Sequence, residues 1–173
     1  MATTFEYTFI EAAANGELDI LEEYFSKKIV NINAGQSSTG HTALMAAVSC
    51  NEHPCVAFLI QNDANINQQD FQGHSALHYA VEHQNETLIT TLIYAGIDIN
   101  LKNHNGLNAY QYALHTKNNL NLANYIKATA RAEQKRSNQN TNLNIEVSFK
   151  SASRHIKNKI NPQGLSLKRR RPR

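Results

Sequence analysis

The sequence predicts an all-α solenoid of four stacked helix-turn-helix units over residues 5–127, followed by a disordered basic tail over residues 128–173. Three observations predict it. Gly40, Gly73 and Gly106 recur every 33 residues, and a fixed period of this size marks a repeat architecture. Ala47, Ala80 and Ala113 keep the same step, as do Leu44, Leu77 and Tyr110, and Asn67 and Asn100. Charge divides where the repeats stop. Residues 1–126 hold 4 Lys, no Arg and 12 acidic residues, a net −8, whereas residues 127–173 carry a net +11.

The units lie at about 5–37, 38–70, 71–103 and 104–127. The first is degenerate, acidic and irregular, as suits a cap. In the other three, Thr42, Ser75 and Asn108 hold equivalent positions, and all three are favoured helix N-caps. A first helix of about two and a half turns starts at each. Its small residues, Ala46, Ala47, Ala80 and Ala113, let a neighbouring helix approach closely. After a polar break a second helix carries apolar pairs at i, i+1, i+4, i+5: Ile20, Leu21, Tyr24, Phe25; Cys55, Val56, Leu59, Ile60; Leu88, Ile89, Leu92, Ile93. This spacing makes one apolar stripe, wide enough to face both its own partner helix and the next unit. Asp63 or Gly96 ends the helix. Asn-Ile-Asn or Asp-Ile-Asn then leads to the turn with the period-marking glycine. In the last unit Asn118, Asn119, Asn121 and Asn124 are expected to interrupt the second helix. A single unit of this kind cannot bury its stripe, so about three or more must stack.

These units resemble ankyrin repeats. The family pattern Asp-x-x-Gly-x-Thr-Pro-Leu-His appears as Asp70-Phe-Gln-Gly73-His-Ser75-Ala76-Leu77-His78, and Gly-Ala-Asp-Val-Asn as Gly96-Ile97-Asp98-Ile99-Asn100. The preceding unit offers Gly40-His-Thr42-Ala43-Leu44-Met45 and Ala64-Asn65-Ile66-Asn67. Alanine replaces the family proline in all three units, and Met45 and Gln111 stand where the motif has histidine. The resemblance implies β-hairpin-like fingers projecting from the helix pairs, and a concave face of fingers and first helices that binds a partner. It gives His78 a structural role, local hydrogen bonding that steadies the turn.

Register then names the residues expected to line that face: Phe71, Gln72, His74, Tyr79, Glu82, His83, Lys102, His104, Tyr112 and His115. Tyrosine and phenylalanine supply contact area at low entropic cost. The finger and inner-helix histidines, His41, His74, His83, His104 and His115, are read either as exposed polar residues or as contacts that tune binding near pH 6–7. The partner is another protein, and the acidic body favours one with a basic patch. The chain is expected to be monomeric. No nucleophile motif, phosphate loop or paired-carboxylate motif occurs, so the reading is a non-catalytic protein without a cofactor. Cys50, His53 and Cys55 have no usual zinc spacing, and register puts Cys55 in the core, so no metal is expected. Leu92 and Asp98 ahead of Asn100 resemble the ankyrin context of an asparaginyl hydroxylase, which makes Asn100 a modification candidate; the plainer reading is a turn-stabilising side chain.

No apolar run approaches the ~18 residues of a membrane span, no basic n-region opens the chain, and two cysteines form no disulfide framework. These features predict a protein of the reducing interior of the cell that folds it. The tail from about residue 130 is polar and rich in Asn and Gln, with little to bury. Within it residues 143–150 alternate apolar and polar with the period of a strand. The chain ends on Lys168, Arg169, Arg170, Arg171 and Arg173. That run resembles a nuclear-localisation or phosphate-contacting segment, and it reads equally as a solvated tail. It supports the alternative function, a nuclear or nucleic-acid-associated adaptor. With a basic tail on so small an array, the chain also resembles effectors that intracellular bacteria deliver into hosts, and equally a eukaryotic adaptor or a viral host-range protein.

Overall fold

Thr42, Ser75 and Asn108 each stand immediately before a helix, in extended backbone. Thr42 Oγ1 accepts from the Met45 amide at 3.3 Å. Asn108 Oδ1 accepts from the Gln111 amide at 3.0 Å, and Gln111 Oε1 accepts from the Asn108 amide at 3.1 Å. This reciprocal pair satisfies two amides that the first turn would otherwise leave open. At Ser75 the amide donates instead to His78 Nδ1 at 3.2 Å. Gln111 therefore fills the place of the motif histidine.

The computed structural model describes the backbone of residues 4–160 and the side chains of residues 4–141. Among the described residues there are eight helices and no strands: α1 (Thr4–Asn15), α2 (Leu18–Ser26), α3 (Ala43–Ser49), α4 (His53–Gln61), α5 (Ala76–Glu82), α6 (Glu86–Tyr94), α7 (Ala109–His115) and α8 (Leu120–Ile160). They form four consecutive pairs. The first members stack: α1 packs on α3, α3 on α5 and α5 on α7. Ala47, Ala80 and Ala113 are wholly buried in this stack, where a larger side chain would hold the helices apart. The stripes of the second members are buried at Leu21, at Cys55, Val56 and Leu59, and at Leu88, Ile89, Leu92 and Ile93. Each large aliphatic side chain contributes about 1.5–3 kcal/mol.

The backbone repeats as the side chains do. Left-handed residues recur in the turn within each pair (Gly16, Asn51, Gln84, Asn118), after each second helix (Lys28, Asp63, Gly96) and in each finger (Gly40, Gly73, Gly106). Each finger is a turn closed by one antiparallel bridge: Gly35 with Thr42, Gln69 with Ser75, Lys102 with Asn108. Neighbouring fingers are tied through backbone, the Phe71 amide donating to Thr39 O at 2.8 Å and the His104 amide to Gln72 O at 2.9 Å.

Asparagine forms a second ladder, through the Asn-Ile-Asn and Asp-Ile-Asn segments. Asn31 Oδ1 accepts from the Asn33 amide (3.0 Å), Asn33 Oδ1 from Asn65 in the next unit (2.7 Å), and Asn65 Oδ1 from Asn67 (3.1 Å). Asn67 Oδ1 then accepts from Asp98 (2.8 Å), and Asp98 Oδ1 from Asn100 (2.9 Å). Within a unit these are local side-chain turns. Between units they satisfy backbone amides across the repeat boundary.

Asparagine does not interrupt the last helix. Asn119 caps α8, its Oδ1 accepting from the Leu122 amide at 3.0 Å. Asn121 and Asn124 lie on the exposed side, while Leu122, Ala123 and Ile126 are buried. One compact unit runs to Glu133 and a second begins at Gln134. Residues 134–141 are all exposed, so α8 continues there with no buried face. A lone helix of that kind is marginal in water, the same lack of burial that its composition implies. Residues 143–150, whose alternation has the period of a strand, lie within α8 instead.

Gly73 and Gly106 separate two demands on a finger glycine. Both are left-handed, with φ of 78° and 75°. A Cβ on Gly73 would stand 2.9 Å from both Asn103 Cα and His104 N of the next finger, whereas one on Gly106 meets nothing within 4 Å. Gly106→Ala should lose about 1–2 kcal/mol in urea unfolding. Gly73→Ala should lose a further ~1–3 kcal/mol from the backbone clash. Equal losses would show that the fingers are not packed against each other.

Candidate functional site

The site grows from one buried carboxylate. Asp70 Oδ1 accepts from the Gln72 amide at 2.9 Å and the His74 amide at 2.7 Å, which folds the finger around it. Asp70 Oδ2 accepts from the Tyr79 hydroxyl at 2.6 Å, which joins the finger to α5. No Lys or Arg pairs with Asp70 among the described residues. Burial, then the Asp70 carboxylate, pushes the Tyr79 phenol far above its ordinary pKa.

A second carboxylate completes the arrangement one turn along α5. Glu82 accepts from the Tyr112 hydroxyl on α7 and from Lys117 Nζ. Burial alone would raise the Glu82 carboxyl, but the bonds from Lys117 and Tyr112 outweigh it and hold it below its ordinary value. Burial and Glu82 push the Tyr112 phenol up to about 12.

Between the two tyrosines lie two histidines held in opposite tautomers. His78 Nδ1 accepts from the Ser75 amide, so its proton sits on Nε2 and donates to Leu107 O at 3.0 Å. For His74 the inference runs through Asn103. Asn103 Oδ1 accepts from the amides of Asn105 and Leu107, both at 3.1 Å. Its Nδ2 therefore faces His74 Nε2 at 3.1 Å, and neutral His74 carries its proton on Nδ1, 3.9 Å from Asp70 Oδ2. The rings pack edge to face: His74 on Tyr79 at 5.9 Å, His74 on Tyr112 at 5.6 Å and His78 on Tyr112 at 5.8 Å between centroids. His41 also packs against Tyr79, at 4.8 Å between centroids. Burial lowers the pKa of both His41 and His78, with Asp70 opposing in each case.

Of the residues expected to line a binding face, the fold brings five together. Gln72, His74, Tyr79, Glu82 and Tyr112, with His78, line a cavity of about 210 Å³. Phe71 lies apart, 62% exposed, its ring over Gly40 and beside a second hollow lined by Gln36, Gln68 and Gln69. His83 caps the C-terminus of α5. Lys102, His104 and His115 are exposed and do not line the cavity. In Lys102 and His104 it is the backbone that binds neighbouring fingers, Lys102 O accepting from Gln69 Nε2 at 2.9 Å. Asp70 and Lys117 belong to the site although register did not select them, and the finger histidine His41 joins it through Tyr79. The signal for Asp70 was its place two and four residues before the amides it binds.

Asn100 is exposed at the open end of the asparagine ladder, its Nδ2 3.2 Å from Asp98 Oδ1. Cys50 is exposed and Cys55 buried, where burial raises the thiol's pKa. Among the described residues no group of His, Cys, Asp and Glu is suited to a metal ion, and no helix is long and apolar enough to cross a membrane. Lys168, Arg169, Arg170, Arg171 and Arg173 lie outside the described residues.

A family model described as ankyrin repeats (3 copies) matches residues 9–103, more than half of the chain. Comparison with curated proteins finds no match.

His78 makes stability depend on pH. Its folded pKa lies below the ordinary ~6.5, so below about pH 6.5 the unfolded chain binds more protons than the folded one. The stabilisation is complete above that pH and is lost on acidification. His78→Gln keeps the amide acceptor that Gln111 supplies in the next unit and removes the titration. Urea midpoints measured between pH 7.5 and 5 should fall less steeply in His78→Gln than in the parent. An unchanged slope would contradict the assignment.

Proposed function

The chain belongs to the ankyrin-repeat family, and we propose that it binds a partner protein through the face formed by its fingers and first helices, without catalysing a reaction. Ankyrin repeats are generally protein–protein interaction modules. The observation that carries the reading here is the joint lining of one cavity by Tyr79 and Glu82 of one unit and Tyr112 of the next. Aromatic side chains with polar tips are the usual anchors of interfaces. Their hydroxyls and neighbours are already fixed by hydrogen bonds, so little further ordering is needed on binding. The net −8 of residues 1–126 speeds encounter with a basic partner. The protein acts as a monomer in this reading. Asn100 stands open to an asparaginyl hydroxylase in cells that have one.

A second reading rests on the basic run 168–173, which would direct the same module to the nucleus or to nucleic-acid phosphates. It adds an address or an anchor to the interaction module and does not replace it. Removing residues 168–173 should abolish nuclear accumulation or salt-dependent nucleic-acid binding if the run serves either purpose, and should change neither if it is only solvated.

Phe71 and His104 test the binding face cleanly, because their side chains are exposed and their bonds to neighbouring fingers are made by backbone. Phe71→Ala with His104→Ala should weaken capture of partners from lysate by roughly tenfold or more with an unchanged thermal transition. Recovery of the same partners at the same level would remove the exposed finger residues from the interaction.

A further inference from the structure

We propose that the cavity between Tyr79 and Tyr112 is a cage for the ammonium or guanidinium head of a basic side chain presented by the partner protein. The proposal rests on the partner-binding reading above and names the chemistry of its anchor.

Three features converge on a cation. The first is charge. Two carboxylates, Asp70 and Glu82, flank the cavity lining, and one resident cation, Lys117, pairs with Glu82. Two carboxylates against one ammonium leave a net negative charge, which disfavours an anion. The second is the rings. Tyr79 and Tyr112 each donate the phenolic proton to a carboxylate, which leaves the rings electron-rich. His74 packs against both, at interplanar angles of 74° and 68°. A cation over an aromatic face is attracted by its quadrupole, more strongly when desolvated. The third is size. About 210 Å³ is less than the roughly 300 Å³ at which small-molecule sites begin, and it suits a single side-chain head.

Lys117 gives the proposal an opposite-sign test. It competes for Glu82 and repels an arriving cation. Removing it should therefore strengthen binding, although it removes an ion pair from the protein.

The experiment is an NMR titration of the full chain with four short peptides, alike except for one central residue: lysine, trimethyllysine, arginine or the neutral isostere norleucine. The three cationic peptides should move the ring resonances of His74, Tyr79 and Tyr112, and norleucine should bind roughly fivefold more weakly or worse. Glu82→Gln should weaken the cationic peptides roughly fivefold, and Lys117→Met should tighten them about twofold or more. Tyr112→Leu, with its thermal transition checked, should abolish the response. Equal binding of norleucine, silent ring resonances, or weaker binding in Lys117→Met would overturn the cage. Binding that appears only after residues 161–173 are deleted would make the chain's own basic end the occupant and overturn the partner as its source. If Glu82→Gln loses the peptides yet captures partners as the parent does, the cage fails as the anchor while the partner-binding reading stands.

Discussion

Each helix pair exposes an apolar stripe that its own residues cannot cover, and the whole structure follows from that deficit. The stripe of one unit is buried only when the next unit is folded against it. The wholly buried alanines Ala47, Ala80 and Ala113 let the first helices stack closely enough for this. Two of the sets of bonds between units recur along the array. One is the backbone contact between fingers, at Phe71 and His104. The other is the asparagine ladder, in which Asn33 and Asn67 each accept an amide from the following unit. The recurring Asn-Ile-Asn and Asp-Ile-Asn segments are thereby explained. Amides at unit boundaries have no helix or sheet partner, and a short side-chain carbonyl supplies one.

The candidate site is a by-product of the same stacking. Asp70 folds its finger and anchors Tyr79, while Glu82 reaches across the boundary to Tyr112 and Lys117. Neither carboxylate is local to the aromatic group it helps to place beside the other. The cavity exists only where two units meet in register, so binding and folding draw on one set of contacts. Tyr79→Ala would for that reason disturb the finger as well as the face, through the lost bond to Asp70.

Much of this was legible in the residues. Thr42, Ser75 and Asn108 mark helix starts because their chemistry is local, and the apolar pairs mark buried stripes because helical geometry is fixed. The glycine period locates the fingers for the same reason. What could not be read is what depends on side-chain direction between units. Register places Gln72, His74, Tyr79, Glu82 and Tyr112 on one face, but it equally selected His83, Lys102, His104 and His115, which the fold leaves exposed outside the cavity. Register does not mark Asp70 as part of the site, because its bonds run to backbone amides and to a tyrosine nine residues away. The length of α8 is hidden in the sequence for a different reason. Its composition offers little to bury, but Ala, Glu, Gln, Lys and Arg near residue 130 favour helix locally, and nothing stops a helix already started by the buried Leu122, Ala123 and Ile126.

Amide hydrogen exchange in the parent and in Leu59→Ala tests the interdependence of the units most directly. Leu59 is wholly buried in the second unit, and its truncation should cost about 2–5 kcal/mol. If the units stand only together, protection at Asp98 and His104, in the next units, falls by the same free energy as at Asn65. Loss of protection confined to the second unit, with Asp98 and His104 unchanged, would mean that each unit holds its own fold, and would contradict the account.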